Sequence, residues 1–203
     1  MAFSDFTLRS AVETFGLQED RDSDLFAQVA PLEINEFTRA WLDEFAPVAV
    51  SVNSELARSV YLIAPILAEA KRRAKGPANV FPGFTLDVDR ERGLNGYCDY
   101  VISRSAEYYY LRGPLIAVIE AKLEDLIGGL GQCAAAMVAV RLFNERDKTP
   151  VSAVYGCVSS GTNWRFLKLQ GTRLSIDRPE YYLSDAGKIV GILVSMLSEG
   201  GGV

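Results

Sequence analysis

The chain has 203 residues, 49% of them hydrophobic, and a formal net charge of −5. This length reads as a single domain with enough apolar surface to bury a core. It contains no histidine, which excludes Ser-His and Cys-His nucleophile pairs and histidine-based zinc sites. Any catalysis must therefore run on carboxylates, lysine, backbone groups or a hard, oxygen-seeking metal.

The three cysteines, Cys98, Cys133 and Cys157, are odd in number and far apart along the chain. They imply neither a disulfide framework nor a thiolate zinc site. No apolar run nears the roughly 18 residues of a membrane span. The start, MAFSDFTLRS, lacks the basic-then-apolar layout of a secretory signal. The expectation is a reduced, cytoplasmic protein without a membrane partner. The acidic balance argues mildly against a stand-alone nucleic-acid binder, although net charge does not exclude a local basic cleft.

In chain order, residues 1 to about 48 read as a helical lead-in, with Asn35 capping a helix from Glu36 to Phe45. Ser51 or Asn53 starts a second helix through Leu56, Val60, Ile63, Leu67 and Ala70, stopped after the basic KRRAK by Gly76 and Pro77. Strands are expected over Phe84–Val88, Tyr97–Ile102 and Leu115–Ala121. The glycines of LEDLIGGLGQ mark a tight connection into a helix from about Leu130 to Asn144. Val151–Val158 is an apolar strand, Trp164–Leu169 and Leu174–Ile176 form a closing hairpin, and Leu183–Leu197 is a final helix. The predicted organisation is one domain over 1–203, with a helical extension (1–48), an α/β core (50–199) and a flexible tail (200–203).

The stretch LIAVIEAKLED, residues 115–125, poses the central question. Alternation puts Ile116, Val118, Glu120 and Lys122 on one face and Leu115, Ala117, Ile119 and Ala121 on the other. Both faces are apolar, as in a central strand covered on both sides. Glu120 and Lys122 thus stand where the strand leaves the core, and partly buried charges there need partners. In GYCDYVIS, Asp99 shares a face with Tyr97 and Val101. If these two strands are neighbours, about 4.8 Å apart, Asp99 and Glu120 can bind one Mg²⁺ or Mn²⁺ ion with Lys122 beside it. That arrangement suits metal-assisted hydrolysis of a phosphodiester.

Asp99, an apolar strand ending in Glu120-Ala121-Lys122, and a following helix carrying Gln132 together resemble the PD-(D/E)XK nuclease superfamily. The likeness covers roughly residues 50 to 160. Its local motif is nearest to the nuclease domain of type I restriction subunits, although the chain is too short to hold a helicase motor. The resemblance implies a restriction-endonuclease-like core in α-β-β-β-α-β order and an endonuclease that hydrolyses nucleic acid, DNA being the expected substrate. It implies metal ligation by Asp99, Glu120 and the Ala121 carbonyl, with Glu55 as the acidic residue many members carry in the preceding helix. Lys122 would position or deprotonate water, and Gln132 would contact a phosphate or orient that water. A protein partner or a homodimer fits the same reading.

Each residue also has a plainer reading. Glu120 and Lys122 can be a structural ion pair. Glu55 suits the first turn of any helix, and Gln132 can face solvent. A catalytically silent or partner-dependent binding module on the same scaffold is the alternative function. Asp87 and Asp89 are expected at an exposed strand end, and Tyr108, Tyr109 and Tyr110 with Arg112, a run able to stack bases, are expected instead to pack on the sheet. Lys71, Arg72, Arg73 and Lys75 complement a helix C-terminus, and Trp41 and Trp164 are expected in the core.

Overall fold

The chain, described over residues 1–198 in a computed structural model, begins with helix α1 (Leu8–Phe15) and a short strand β1 (Gln18–Asp20). Helix α2 (Glu36–Val52) and a short helix α3 (Glu55–Arg58) follow. A π turn (Ser59–Ile63) joins α3 to α4 (Ala64–Arg73). Strands β2 (Asn79–Asp89), β3 (Leu94–Ser103) and β4 (Leu115–Ala121) precede the long helix α5 (Leu126–Arg146). Strands β5 (Val154–Ser159), β6 (Asn163–Gln170), β7 (Arg173–Ile176) and β8 (Tyr181–Tyr182) and helix α6 (Ala186–Ser198) complete the fold. The tail expected over 200–203 lies outside the described residues.

The architecture is α/β: one mixed eight-stranded sheet in the order β1-β7-β6-β5-β4-β3-β2, with β8 attached to β6. The β2–β3–β4 and β5–β6–β7 segments are antiparallel, whereas β4 and β5 are parallel. A parallel neighbour needs a long crossover, and α5 is that crossover. One face of the sheet is covered by α1 and α5 and the other by α2, α4 and α6, giving two apolar layers. β4 is an interior strand, between β5 and β3, and is buried along its whole length, which accounts for its two greasy faces.

The lead-in is more than helical. β1 joins the sheet edge beside β7, and Phe3, Phe6, Phe15 and Leu17 are core residues packed on the α5 side. Three residues of strand, QED, carry no apolar alternation, so nothing in their pattern marks them. Helix α2 runs through Pro47 to Val52 and stops at Asn53, whose left-handed φ of 50° caps it. Pro47 costs one internal hydrogen bond, yet the helix continues because Leu42 and Ala49, on either side of it, are both buried. Ser54 then opens α3 by accepting from the Ala57 N–H at 3.1 Å. Further along, Pro65 supplies no N–H, and the Tyr61 carbonyl accepts from Trp41 Nε1 at 3.1 Å instead. The single helix expected here is therefore interrupted by the π turn.

Two further features of the fold depart from the sequence pattern. Ile102 pairs with Ala117 but Ser103 pairs with Leu115, so Ile116 is a bulge. Leu115 consequently shares a layer with Val118, and Ile116 joins Ala117 in the opposite layer. The glycines after β4 are helical, not a connection: α5 starts at Leu126, capped by Asp125, which accepts from the Gly128 N–H at 2.8 Å. Gly131 is required because a Cβ there would stand 2.2 Å from the Phe6 carbonyl oxygen. α5 is long and apolar enough to cross a membrane, but 67% of its apolar window is buried inside the fold. Ala134, Ala135 and Ala136 are fully buried, because α5 is enclosed between the sheet and α1.

Candidate active site

β3 and β4 are adjacent and antiparallel, with Tyr100 opposite Ile119 and Val101 opposite Val118. Extending that register places Asp99 opposite Glu120. The Asp99 carboxylate accepts the Ala121 N–H at 2.8 Å, which fixes its side chain against the end of β4. Lys122 leaves the strand with its N–H donating to the Ser159 carbonyl at 2.8 Å, so β4 and β5 end together.

α5 clamps β4 at both ends. The fully buried Asn144 side chain donates to the Leu115 carbonyl at 2.7 Å and accepts the Leu115 N–H at 2.7 Å. Gln132, three turns earlier, donates from Nε2 to Glu120 Oε2 at 2.6 Å and accepts from Lys122 Nζ at 3.0 Å. The helical rise between Gln132 and Asn144, about 18 Å, matches the strand length from Leu115 to Glu120, about 17 Å. Gly129 allows this approach, since a Cβ there would meet Val158 Cγ1 at 2.6 Å and Lys122 Cγ at 3.1 Å.

Glu120 is 0% exposed. Its Oε1 is buried with no donor to accept from, and the Asp99 carboxyl is close enough to share a proton with Glu120. Burial, reinforced by the Asp99 charge, pushes the Glu120 carboxyl well above the usual carboxylate range against the pull of Lys122. Asp99 is half-buried and is also raised, by burial first. The Ala121 N–H and Lys122 hold it down, while the Glu55 charge adds to the rise. Two carboxylates, a lysine and an amide thus share one partly desolvated corner.

The structure brings Asp99, Glu120, Lys122 and Gln132 together through this hydrogen-bonded chain. Glu55 is exposed in the first turn of α3 and reaches the group only through its charge on Asp99. Gln132 does not face solvent. It ties Glu120 to Lys122. Among the described residues there is no cluster of three or more acidic, cysteine or histidine side chains grouped to hold a metal. Two carboxylates still fit magnesium, which commonly binds through one or two carboxylates and keeps several waters. Glu120 Oε1, with no donor to accept from, is an oxygen that a hard cation would satisfy.

The other singled-out residues sort readily. Asp87 pairs with Arg90 and Asp89 caps the Arg92 N–H at 3.2 Å, both structural. Tyr109 is 97% exposed and Tyr108 and Tyr110 are exposed as well, so the tyrosine run does not pack on the sheet. Lys71 bonds Asn79 at 3.2 Å and sits over the Tyr108 ring. Arg72 and Arg73 pair with the fully buried Glu69. Trp164 is fully buried, whereas Trp41 is only partly covered, within a ring series with Phe45 and Tyr61. All three cysteines are buried and free.

One charged residue escaped the reading of the sequence. Arg58 is 7% exposed. It lies on the stripe that continues at four-residue intervals through Leu62 and Ile66, and an arginine on an apolar stripe was the available signal. No family model, curated protein or solved structure matches the chain, and what the site can do has to be read from its own geometry.

Proposed function

We propose that this chain is a metal-dependent nuclease on a restriction-endonuclease-like core, hydrolysing phosphodiesters of nucleic acid, with DNA the expected substrate. One observation carries the reading: Asp99 lies opposite Glu120 on the adjacent strand, with a buried oxygen on Glu120 that has no donor and Lys122 two residues on. The order α4-β2-β3-β4-α5-β5, with β4 and β5 parallel, supports the core assignment.

Asp99 and Glu120, with the Ala121 carbonyl, would hold Mg²⁺ or Mn²⁺. The ion would supply Lewis acidity and acidify water, so no histidine is needed. Lys122 Nζ orients the attacking water or takes its proton, and offsets charge on the phosphoryl oxygens. Gln132 positions both Glu120 and Lys122, and Glu55 adds negative charge at the rim.

Calorimetric titration with Mn²⁺ tests the site. Wild type binds, and Asp99→Asn binds at least about tenfold more weakly, the loss of one charged ligand. Equal binding by both, or none by either, removes the proposal. A second reading, a subunit that needs a partner to hold its substrate, is favoured by the net charge of −5 and by the exposed apolar Phe37, Val52 and Leu56. Metal binding without cleavage of any nucleic acid by the isolated chain would select it.

A further inference from the structure

Arg58 is a buried cation without an anion. Its Nη1 donates to the Ser160 carbonyl at 3.0 Å and to Thr162 Oγ1 at 3.3 Å, and its Nη2 donates to Asn53 Oδ1 at 3.1 Å. All three partners are neutral oxygens. Its Nε is buried with no partner at all. The contrast is Glu69, also buried but paired with two arginines. Removing a guanidinium from water is costly unless an opposite charge replaces the hydration. Among the described residues no carboxylate forms an ion pair with it.

Arg58 forms part of the wall of a cavity of about 340 Å³ that opens beyond the ends of β4 and β5. Leu123, the residue after Lys122, and Ser160, the residue after Ser159, line it, so its wall continues the chain from the strand end that carries Glu120 and Lys122. Ser160, Thr162 and Arg165 contribute hydroxyl and guanidinium groups, and Arg165 Nε is likewise buried and unpartnered. The first turn of α5 closes another side, presenting the positive end of a long helix.

Three carboxylates line this cavity, and two of them are engaged by other groups. Glu180 accepts from Arg165 at 3.0 Å and from Asn163 at 2.7 Å. Asp125 caps Gly128, and Glu124 is exposed. None of them pairs with Arg58. The group that fits is a tetrahedral oxyanion, which offers acceptors to a planar donor fork and to hydroxyls at once.

We propose that this cavity is a phosphate-binding site, in which Arg58 and Arg165 take the phosphate next along the strand from the one presented to Asp99 and Glu120. The phosphate site stands on Arg58 and its cavity; its occupation by a nucleic-acid strand rests on the function proposed above. Inorganic phosphate is the first probe, titrated by ³¹P NMR and thermal melting without divalent metal, against chloride at equal ionic strength.

Wild type and Asp99→Asn should both bind phosphate and melt at higher temperature in it, because the metal site is not involved. Arg58→Gln should bind at least about tenfold more weakly, the loss expected of one charge-assisted contact, and Arg58→Lys should fall between. If Arg58→Gln does not fold, Arg165→Gln, whose side chain is partly exposed, should show the same weakening. A short 5′-phosphorylated single-stranded oligonucleotide should displace the phosphate. Phosphate without effect beyond chloride, or binding retained by the variants, overturns the site. Phosphate bound but not displaced by the oligonucleotide overturns its assignment to a nucleic-acid strand.

Discussion

Gln132 donates to Glu120 at 2.6 Å, and this hydrogen bond ties the covering helix to the charged end of β4. Because its other atom accepts from Lys122, the amide orientation is set by the carboxyl and the ammonium it joins. Gln132→Ala leaves Glu120 and Lys122 each short of a partner and should destabilise the metal-free protein by about 1–3 kcal/mol. Mn²⁺ affinity should fall about 10–100-fold, as for other groups that orient metal ligands. Denaturant midpoints and a Mn²⁺ titration measure the two effects.

Lys122 is the residue whose loss should separate chemistry from folding. It is partly exposed and makes one side-chain hydrogen bond, so Lys122→Ala should keep the fold. Metal-dependent cleavage of DNA should drop about 10²–10⁴-fold, the usual range for a positioned proton-transfer group. Circular dichroism with a gel-based cleavage assay checks both. Undiminished cleavage would assign the activity to another group.

Glu120 should make metal-free stability depend on pH. Its folded pKa is raised, by burial and then by Asp99. The folded protein therefore retains a proton that the unfolded chain releases at the ordinary carboxylate value. Stability is full below that value and declines as pH rises toward the folded pKa. Glu120→Gln removes the titration, so denaturant midpoints should show it at least as stable as wild type at pH 8, with the advantage shrinking toward pH 5. A strong loss at every pH would make Glu120 and Lys122 a buried structural pair.

Gly131 offers a test of the packing that presents Gln132. An added methyl would meet the backbone of Phe6 and Thr7 at 2.2 Å, and backbone gives way poorly. Gly131→Ala should destabilise by about 1–3 kcal/mol, although alanine gains up to about 1 kcal/mol in helix propensity. Thermal melting without metal gives the answer. A stabilised variant would mean that the N-terminal segment is not pressed against α5.

The bounds of β4 were legible in the sequence. Leu115–Ala121 is an apolar run of strand length with three β-branched residues and no glycine or proline, and its boundaries agree with the structure. The charges at its end were equally legible, because a central strand cannot hide a glutamate and a lysine without partners. Hydrophobic pattern and charge placement are local properties, and they determined the strand and the candidates Asp99, Glu120 and Lys122.

Tertiary structure decided the rest. Local rules read the glycines of LIGGLG as a break, yet they are helical because Phe6 and Lys122 press where a Cβ would be. The bulge at Ile116 follows from pairing with β3, and β1 exists only because β7 offers an edge. Gln132 became a bridge rather than a solvent-facing residue because the rise of α5 matches the length of β4. Arg58 became an unpaired buried cation only when the β5–β6 loop closed over it with neutral oxygens. Contacts between residues distant in sequence carry no local signature, so the cavity and its charge emerge only from the folded chain.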